Sequence, residues 1–246
     1  MSTNVAYLRS NESDALVEDP DLMRVSASAA KAVSEFLESE ESLNPELLEL
    51  VQRIFLVRAE EAPRAVTFAP IDGGGDSGRI CALTAHLLSR ASRGTVCIVD
   101  ANIRSPSLHN LLGACRLGPI ESLANSASVR SFTIPISAWL SLLPSGAIRS
   151  DSEDLLNLDR TQTRIKELRS QFDWVIVNAP PLNHCMDSLA LGQLTDGLVL
   201  IIEAGSTRRE SAQVAVSIVR SSNIPILGAV LNNRTFPIPD KLYALL

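Results

Sequence analysis

The sequence predicts an α/β fold, a mostly parallel sheet with helices on both faces in three layers. Three observations predict it. Short apolar stretches alternate about six times with longer amphipathic ones, the pattern of strand–helix–strand crossovers. One apolar stretch, 172–178, is nearly continuous, as expected of a strand buried on both sides. A glycine-rich turn, Ile71-Asp72-Gly73-Gly74-Gly75-Asp76-Ser77-Gly78, lies between the apolar stretch 66–70 and a helical pattern. Glycines let successive backbone N–H groups converge there, and a helix N-terminus adds partial positive charge, the layout of an anion-binding loop.

Composition bounds the function. The 246 residues fit one large domain. Hydrophobic residues make up 46% and aromatics only 4%, so the core should be aliphatic. A net charge of −6 argues against a general nucleic-acid binder. No apolar run is long enough to span a membrane and no signal-peptide pattern opens the chain, so a membrane role would need a partner protein. Cys81, Cys97, Cys115 and Cys185 are far apart and read as free thiols in a reducing compartment.

Taken in order, residues 1–20 are polar, acidic and unpatterned, and read as disordered. Residues 21–62 read as a helical segment. One helix covers 22–37. After a polar break, Asn44 caps a second that starts at Pro45 and carries Leu47, Leu48, Val51, Ile54 and Phe55 on one stripe. The α/β domain is expected over 63–246. It starts with strand 66–70, a helix over 79–91 with Ile80, Leu83, Leu87 and Ala91 on one face, and strand 95–100. Ser105-Pro106 look like a helix start, and 117–131 like a loop–helix–loop. A strand over 139–143 precedes a helix over 151–170, with Leu155, Leu158, Ile165 and Leu168 inward. Strand 172–178 stops at Ala179-Pro180-Pro181, a helix covers 187–194, and strand 198–203 follows. Thr207-Arg208-Arg209-Glu210 fits a capping box opening a helix to 221, and 226–231 is the last strong strand. Ligands of such sheets bind at the C-terminal ends of the strands, here Pro70, Asp100, Pro144 and Asn178 onward.

Three of these stretches carry a resemblance: the glycine loop with its helix, the run Cys97-Ile98-Val99-Asp100-Ala101-Asn102-Ile103-Arg104-Ser105-Pro106-Ser107-Leu108-His109, and Trp174-Val175-Ile176-Val177-Asn178-Ala179-Pro180-Pro181. Together with 226–233 they resemble the bacterial tyrosine kinases of capsule and exopolysaccharide synthesis, the CpsD/CapB group of the MinD/ParA-like P-loop ATPases. The resemblance implies a P-loop NTPase-like domain, ATP or ADP as ligand, and a cytoplasmic place at the inner membrane. The implied partner is an integral membrane co-polymerase or chain-length protein, and related kinases also self-assemble.

The functional positions depart from that pattern. A Walker A loop supplies a lysine to the phosphates and a hydroxyl to Mg²⁺. An ungapped match puts Ser77 and Gly78 there; the literal glycine spacing, from Gly73 to Gly78, puts Arg79 and Ile80 there. Asp72 and Asp76 add like charge where phosphates would lie. Asp100 is kept, but Asn102 and Asn178 stand where the pattern has aspartates, and Tyr243 alone replaces a tyrosine cluster. Each lost charged hydrogen bond removes about 1.5–3 kcal/mol, so Mg-nucleotide affinity should largely disappear.

Each sharp reading has a plainer rival. The loop Gly73, Gly74, Gly75, Asp76, Ser77, Gly78 and Arg79 reads as a residual phosphate site or, preferentially, as a strand-to-helix turn without ligand. Asp100 is a candidate catalytic carboxylate or a cap of the following turn. Arg104 pairs with Asp100 or faces a partner. His109, His184 and Cys185 are poorly spaced as metal ligands, so no metal site is assigned. Arg208-Arg209 contact an acidic ligand or form a solvated first turn. The helices of 21–62 dock a partner or cover the sheet. The favoured reading is a non-catalytic, pseudokinase-like component acting through protein contacts. The alternatives are an ATP-dependent tyrosine kinase or ATPase, with Asp100 as its remaining carboxylate, and a MinD/ParA-type positioning ATPase.

Overall fold

A single sheet runs in the strand order β3-β4-β2-β5-β1-β6-β7. The computed structural model describes residues 33–39, 45–56, 62–73, 76–114, 128–145, 158–183 and 186–234. The strands are β1 (Ala65–Pro70), β2 (Val96–Asp100), β3 (Ile134–Pro135), β4 (Leu140–Leu143), β5 (Trp174–Asn178), β6 (Leu198–Glu203) and β7 (Ile226–Asn232). Neighbours are parallel, except that β3 pairs antiparallel with β4 at one edge. The helices are α1 (33–39), α2 (Pro45–Val51), α3 (Ser77–Ser92), α4 (Leu108–Leu111), α5 (Leu158–Gln171), α6 (Asp187–Leu194) and α7 (Arg209–Ser221).

Strand pleating sorts the core into two clusters, one per face. Val66 and Phe68 of β1 and Ile98 of β2 pack with Leu83 and Leu87 of α3 and with Leu47, Val51 and Phe55. On the other face Ala65, Cys97, Val175 and Val177 meet Ile165 and Leu168 of α5, Leu189 of α6 and Val219 of α7. Full burial of each large aliphatic contributes about 1.5–3 kcal/mol, so the sheet is held from both sides. The segment carrying α2 covers the sheet: Leu50 and Ile54 lie 3.4 and 3.5 Å from where a Cβ on Gly228 would sit in β7.

Several expected boundaries move. Helix α3 starts at Ser77, not 79, because Ile80 N–H already bonds to Asp76 O at 3.1 Å. The face expected through Ala91 is wider and ends sooner: Cys81, Ala82, Thr84 and Ala85 are also buried, because α2 and α4 pack against α3, while Ala91 is exposed. Strand β4 starts at Leu140, after a hairpin from β3 that the sequence reading lacks. Strand β5 starts at Trp174, since Phe172 N–H still bonds to Leu168 O of α5. The stretch after Pro45 leaves the α-helix at Gln52 for a π-turn over Gln52–Leu56. Ser105-Pro106 form a turn, and α4 starts only at Leu108. Within 117–131 a 3₁₀ turn begins at Val129. The capping box is absent: Thr207 Oγ1 accepts from the Glu203 N–H at 3.1 Å, and no side chain caps α7. Residues 1–32, Asn44 and the side chains of Leu155 and Leu158 lie outside the described residues.

The end of the sheet opposite the strand crests is closed by carboxylates. Asp196 Oδ2 accepts from the backbone N–H groups of Arg64 and Ala65 at 2.7 and 2.9 Å, and its Oδ1 from Arg169 at 2.8 Å. Asp173 Oδ2 accepts from the N–H and hydroxyl of Thr95 at 2.8 Å each. The Thr95 hydrogen bonds hold the Asp173 carboxyl below its ordinary range. Burial pushes Asp196 up, but the N–H groups of Ala65 and Arg64 and the Arg169 guanidinium outweigh it, so it too is held low. A lowered folded pKa stabilises above the unfolded value, and that stability is lost as pH falls through the folded value. Thermal unfolding should therefore weaken below about pH 4, and Asp196→Asn should flatten that acid limb. At neutral pH Asp196→Ala should lower Tm by several degrees, at about 1 kcal/mol per lost hydrogen bond.

Candidate functional site

Strand β1 lies between β5 and β6, so the loops after β1, β2 and β5 meet over the sheet at the point where its order reverses. The first loop is tied down by the segment after β5. Leu182 N–H bonds to Pro70 O at 2.9 Å, Asn183 N–H to Ile71 O at 3.1 Å, and Asn183 Nδ2 to Asp72 Oδ1 at 2.8 Å. Gly73 is exposed, and Gly74 and Gly75 lie outside the described residues. Asp76 precedes α3 without a side-chain cap bond, and Ser77 and Gly78 are buried in its first turn. Arg79 is half-exposed, with its Nη1 3.9 Å from Asp76 Oδ2.

Asp100 ends β2 almost fully buried. Its Oδ2 accepts from the backbone N–H groups of Ser107 and Leu108, both at 3.0 Å, and its Oδ1 accepts from Asn178 Nδ2 at 3.1 Å. Burial raises the Asp100 carboxyl above its ordinary value, while the N–H groups of Leu108, Ser107 and Asn102 and the Asn178 amide pull the other way. Through these bonds the carboxylate caps the turn that starts α4. Asn178, opposite Asp100 in the β2–β5 register, also receives the Cys81 thiol on its Oδ1 at 3.8 Å. Burial, then the nearby Asp100, pushes that thiol well above its usual range, and burial does the same to Cys97. Both are free, buried and inert thiols. Asn102 Oδ1 is buried and accepts no hydrogen bond from the described residues.

The turn capped by Asp100 folds onto the phosphate-type loop. A Cβ on Gly78 would lie 2.3 Å from Ser107 Oγ and 3.4 Å from Ser107 Cβ. The Ser107 hydroxyl occupies the space a side chain at 78 would need, so a larger residue there would make the serine rotate away. This residue set does not fit a bound Mg²⁺. Asn102 and Asn178 are neutral, residue 78 has no hydroxyl, and the oxygens of Asp100 are engaged by amides.

A cavity of about 560 Å³ opens beside the loop, between α2, the start of α3 and the end of β7. Leu47, Leu50 and Leu83 form apolar wall, and Arg79, Asn232 and Asn233 bring polar groups to it. The volume is in the range of small-ligand sites. Other expected residues lie apart. Arg104 is exposed and forms no ion pair with Asp100, because the backbone takes that carboxylate. Arg208 and Arg209 are exposed at the start of α7. His109 is buried, His184, Cys185 and Tyr243 lie outside the described residues, and no metal-type cluster occurs among the described residues. Ser107, Asn183 and Glu203 are contributors the sequence reading missed. Ser107 stands in the quoted run, but its contact with Gly78 exists only once the two loops are packed.

A parallel sheet with this loop arrangement defines the class: the fold is that of the P-loop ATPases of the ParA and MinD type. The chain's relatives within that class are bacterial tyrosine-protein kinases. It is 28% identical over 141 residues to the tyrosine-protein kinase YwqD of Bacillus subtilis (strain 168), covering 56% of this chain and 60% of YwqD. It is 30% identical over 164 residues to the succinoglycan biosynthesis transport protein ExoP of Rhizobium meliloti (strain 1021), covering 64% of this chain and 21% of ExoP. The chain therefore spans less than two thirds of the length of either relative. Among solved structures, the chimerical protein CapA2B2 matches with a TM-score of 0.72 at 18% identity, over 87% of this chain and 94% of that one. No family model matches.

The Asp100–Asn178 pair makes a sharp prediction. Asn178→Asp places two carboxylates side by side in a buried site, which should cost about 1–3 kcal/mol. Denaturant unfolding should show that loss at neutral pH and its relief as pH falls and the pair takes up a proton. Magnesium should not restore the lost stability.

Proposed function

We propose that the chain is a non-catalytic component of a capsule or exopolysaccharide synthesis and export system, acting through protein contacts. One observation carries the reading: the retained acidic residue of the crest, Asp100, is spent on the backbone of Ser107 and Leu108 and on the Asn178 amide. A carboxylate so engaged is a structural cap. It leaves that carboxylate engaged by amides and not offered to a metal ion. The relatives support the setting, since YwqD is a tyrosine-protein kinase and ExoP a succinoglycan biosynthesis transport protein by name. By that reading the partner is an integral membrane co-polymerase or chain-length protein, and the chain works at the cytoplasmic face through it. Among the described residues no helix is long and apolar enough to cross a membrane, which supports attachment by contact.

By this proposal the chain divides into the helical segment 21–62 and a domain over 63–246 whose Walker motifs are degenerate. The second reading is a weakly active ATP-dependent tyrosine kinase or ATPase, favoured by Arg79 lining the cavity beside the loop.

Phosphate release and autophosphorylation with Mg²⁺-ATP separate the two. The proposed function expects wild type to match the buffer blank and Asp100→Ala to match wild type. Turnover that Asp100→Ala abolishes would establish the enzyme instead. Independently, Asp100→Ala should cost about 1–3 kcal/mol in denaturant unfolding, because the N–H groups of Ser107 and Leu108 lose their acceptor.

A further inference from the structure

Strand β7 is an outer edge of the sheet, paired only with β6 among the described residues. Its sequence, Ile226-Leu227-Gly228-Ala229-Val230-Leu231-Asn232, holds no charge and no proline. Edge strands are usually blunted by such residues, and a long apolar edge without them is a template for another strand. The register shows which groups such a strand would meet. Asn232 O accepts from the Ala204 N–H of the β6 side at 2.9 Å. Backbone groups alternate along a strand, so the N–H and C=O of Leu231 and Ala229 face away from β6. These two residues pair with Ile202 and Leu200, and so share the α7 face of the sheet. Both are exposed, Leu231 by 51%. On α7, Val216 packs into the core on one flank. Val214 and Ile218, one turn apart on the other flank, are 54% and 39% exposed. Three of the five large apolar side chains left exposed among the described residues thus lie along this one edge.

The chain itself supplies the complement. Asn233 takes a left-handed backbone, φ 53°, and its Nδ2 donates to Glu203 Oε1, so β7 ends in a turn tied to β6. The residues that follow, outside the described ones, run Thr235-Phe236-Pro237-Ile238-Pro239-Asp240. We propose that residues 236–240 fold back antiparallel on the free edge of β7 as an eighth strand, with Phe236 opposite Leu231 and Ile238 opposite Ala229. The connection is then residues 232–235, a common length of hairpin loop. Residues opposite each other share a face, so Phe236 and Ile238 cover Leu231, Ala229 and the apolar pair on α7. Pro237 and Pro239 fall opposite Val230 and Gly228, at positions where backbone N–H groups face solvent, the places an edge strand tolerates proline. A shift of one residue would turn both prolines toward β7, removing two donors, and would put Phe236 and Ile238 on the wrong face. In the proposed register the prolines also close the new edge to further strands. The strand runs away from the glycine loop and carries Tyr243 toward the opposite end of the sheet. This pairing holds whether or not the crest turns over nucleotide.

Amide exchange followed by NMR on the full chain tests this. The Ala229 and Leu231 N–H groups should exchange at least about a hundredfold more slowly than unpaired amides, at a rate independent of protein concentration. Ile238→Pro removes the donor opposite Ala229 and should speed both at least about tenfold, whereas Pro239→Ala should leave them slow. A disulfide reads the register directly. Val230→Cys with Pro237→Cys forms a non-hydrogen-bonded pair, with Cα atoms about 4.5 Å apart, and should close within one chain on oxidation, as located by peptide mapping. Val230→Cys with Ile238→Cys, on opposite faces, should not. Fast exchange at Ala229 and Leu231 in wild type would overturn the proposal. So would exchange that slows only as concentration rises, or a disulfide that joins two chains, since either result assigns the edge to a second copy.

Discussion

Asp100 brings a carboxylate to the buried end of β2, and the crest of the sheet is arranged around how that carboxylate is satisfied. Left bare in a low-dielectric setting it would be costly. The chain meets it with two consecutive backbone N–H groups and one side-chain amide. Those N–H groups belong to Ser107 and Leu108, so satisfying the charge also folds the segment after β2 back over the sheet. That fold-back sets Ser107 against Gly78. One buried charge thereby fixes the entry into α4 and brings the Ser107 hydroxyl over residue 78.

The same constraint explains why residue 178 is an amide. Asp100 and Asn178 face each other in register across adjacent strands, both buried. A divalent cation would let two acids share that space; without one, a carboxylate beside an amide is the stable pairing. Asn178 also takes the Cys81 thiol on its oxygen, so donor and acceptor sides are both used. Hydrogen-bond complementarity, not a second charge, joins β2 and β5 at the crest.

Much of this was legible in the chain. The alternation of strand and helix signals, the continuous apolar run into Asn178 and the turn residues at Gly73 and Pro180 led to the parallel three-layer sheet, because backbone periodicity and burial on both faces leave a direct imprint on composition. The neutral residues at 102 and 178 were legible for the same reason: side-chain charge is a local property. Boundaries were less so. Phe172 reads as strand but directly follows α5, its N–H still bonded to Leu168 O, and Thr207 reads as a helix cap but is claimed by Glu203.

Sequence alone determined the architecture, the aliphatic core and the charges at the crest, since these follow from period, hydrophobicity and residue type. Tertiary structure decided what those residues do. Whether Asp100 faces a ligand or the backbone depends on where Ser107 comes to lie. Which way the amides of Asn232 and Asn233 turn depends on Glu203, some thirty residues away in the chain and one strand away in the sheet. Both are settled by hydrogen-bond partners that only the folded sheet brings within reach, and no local pattern encodes such a partnership.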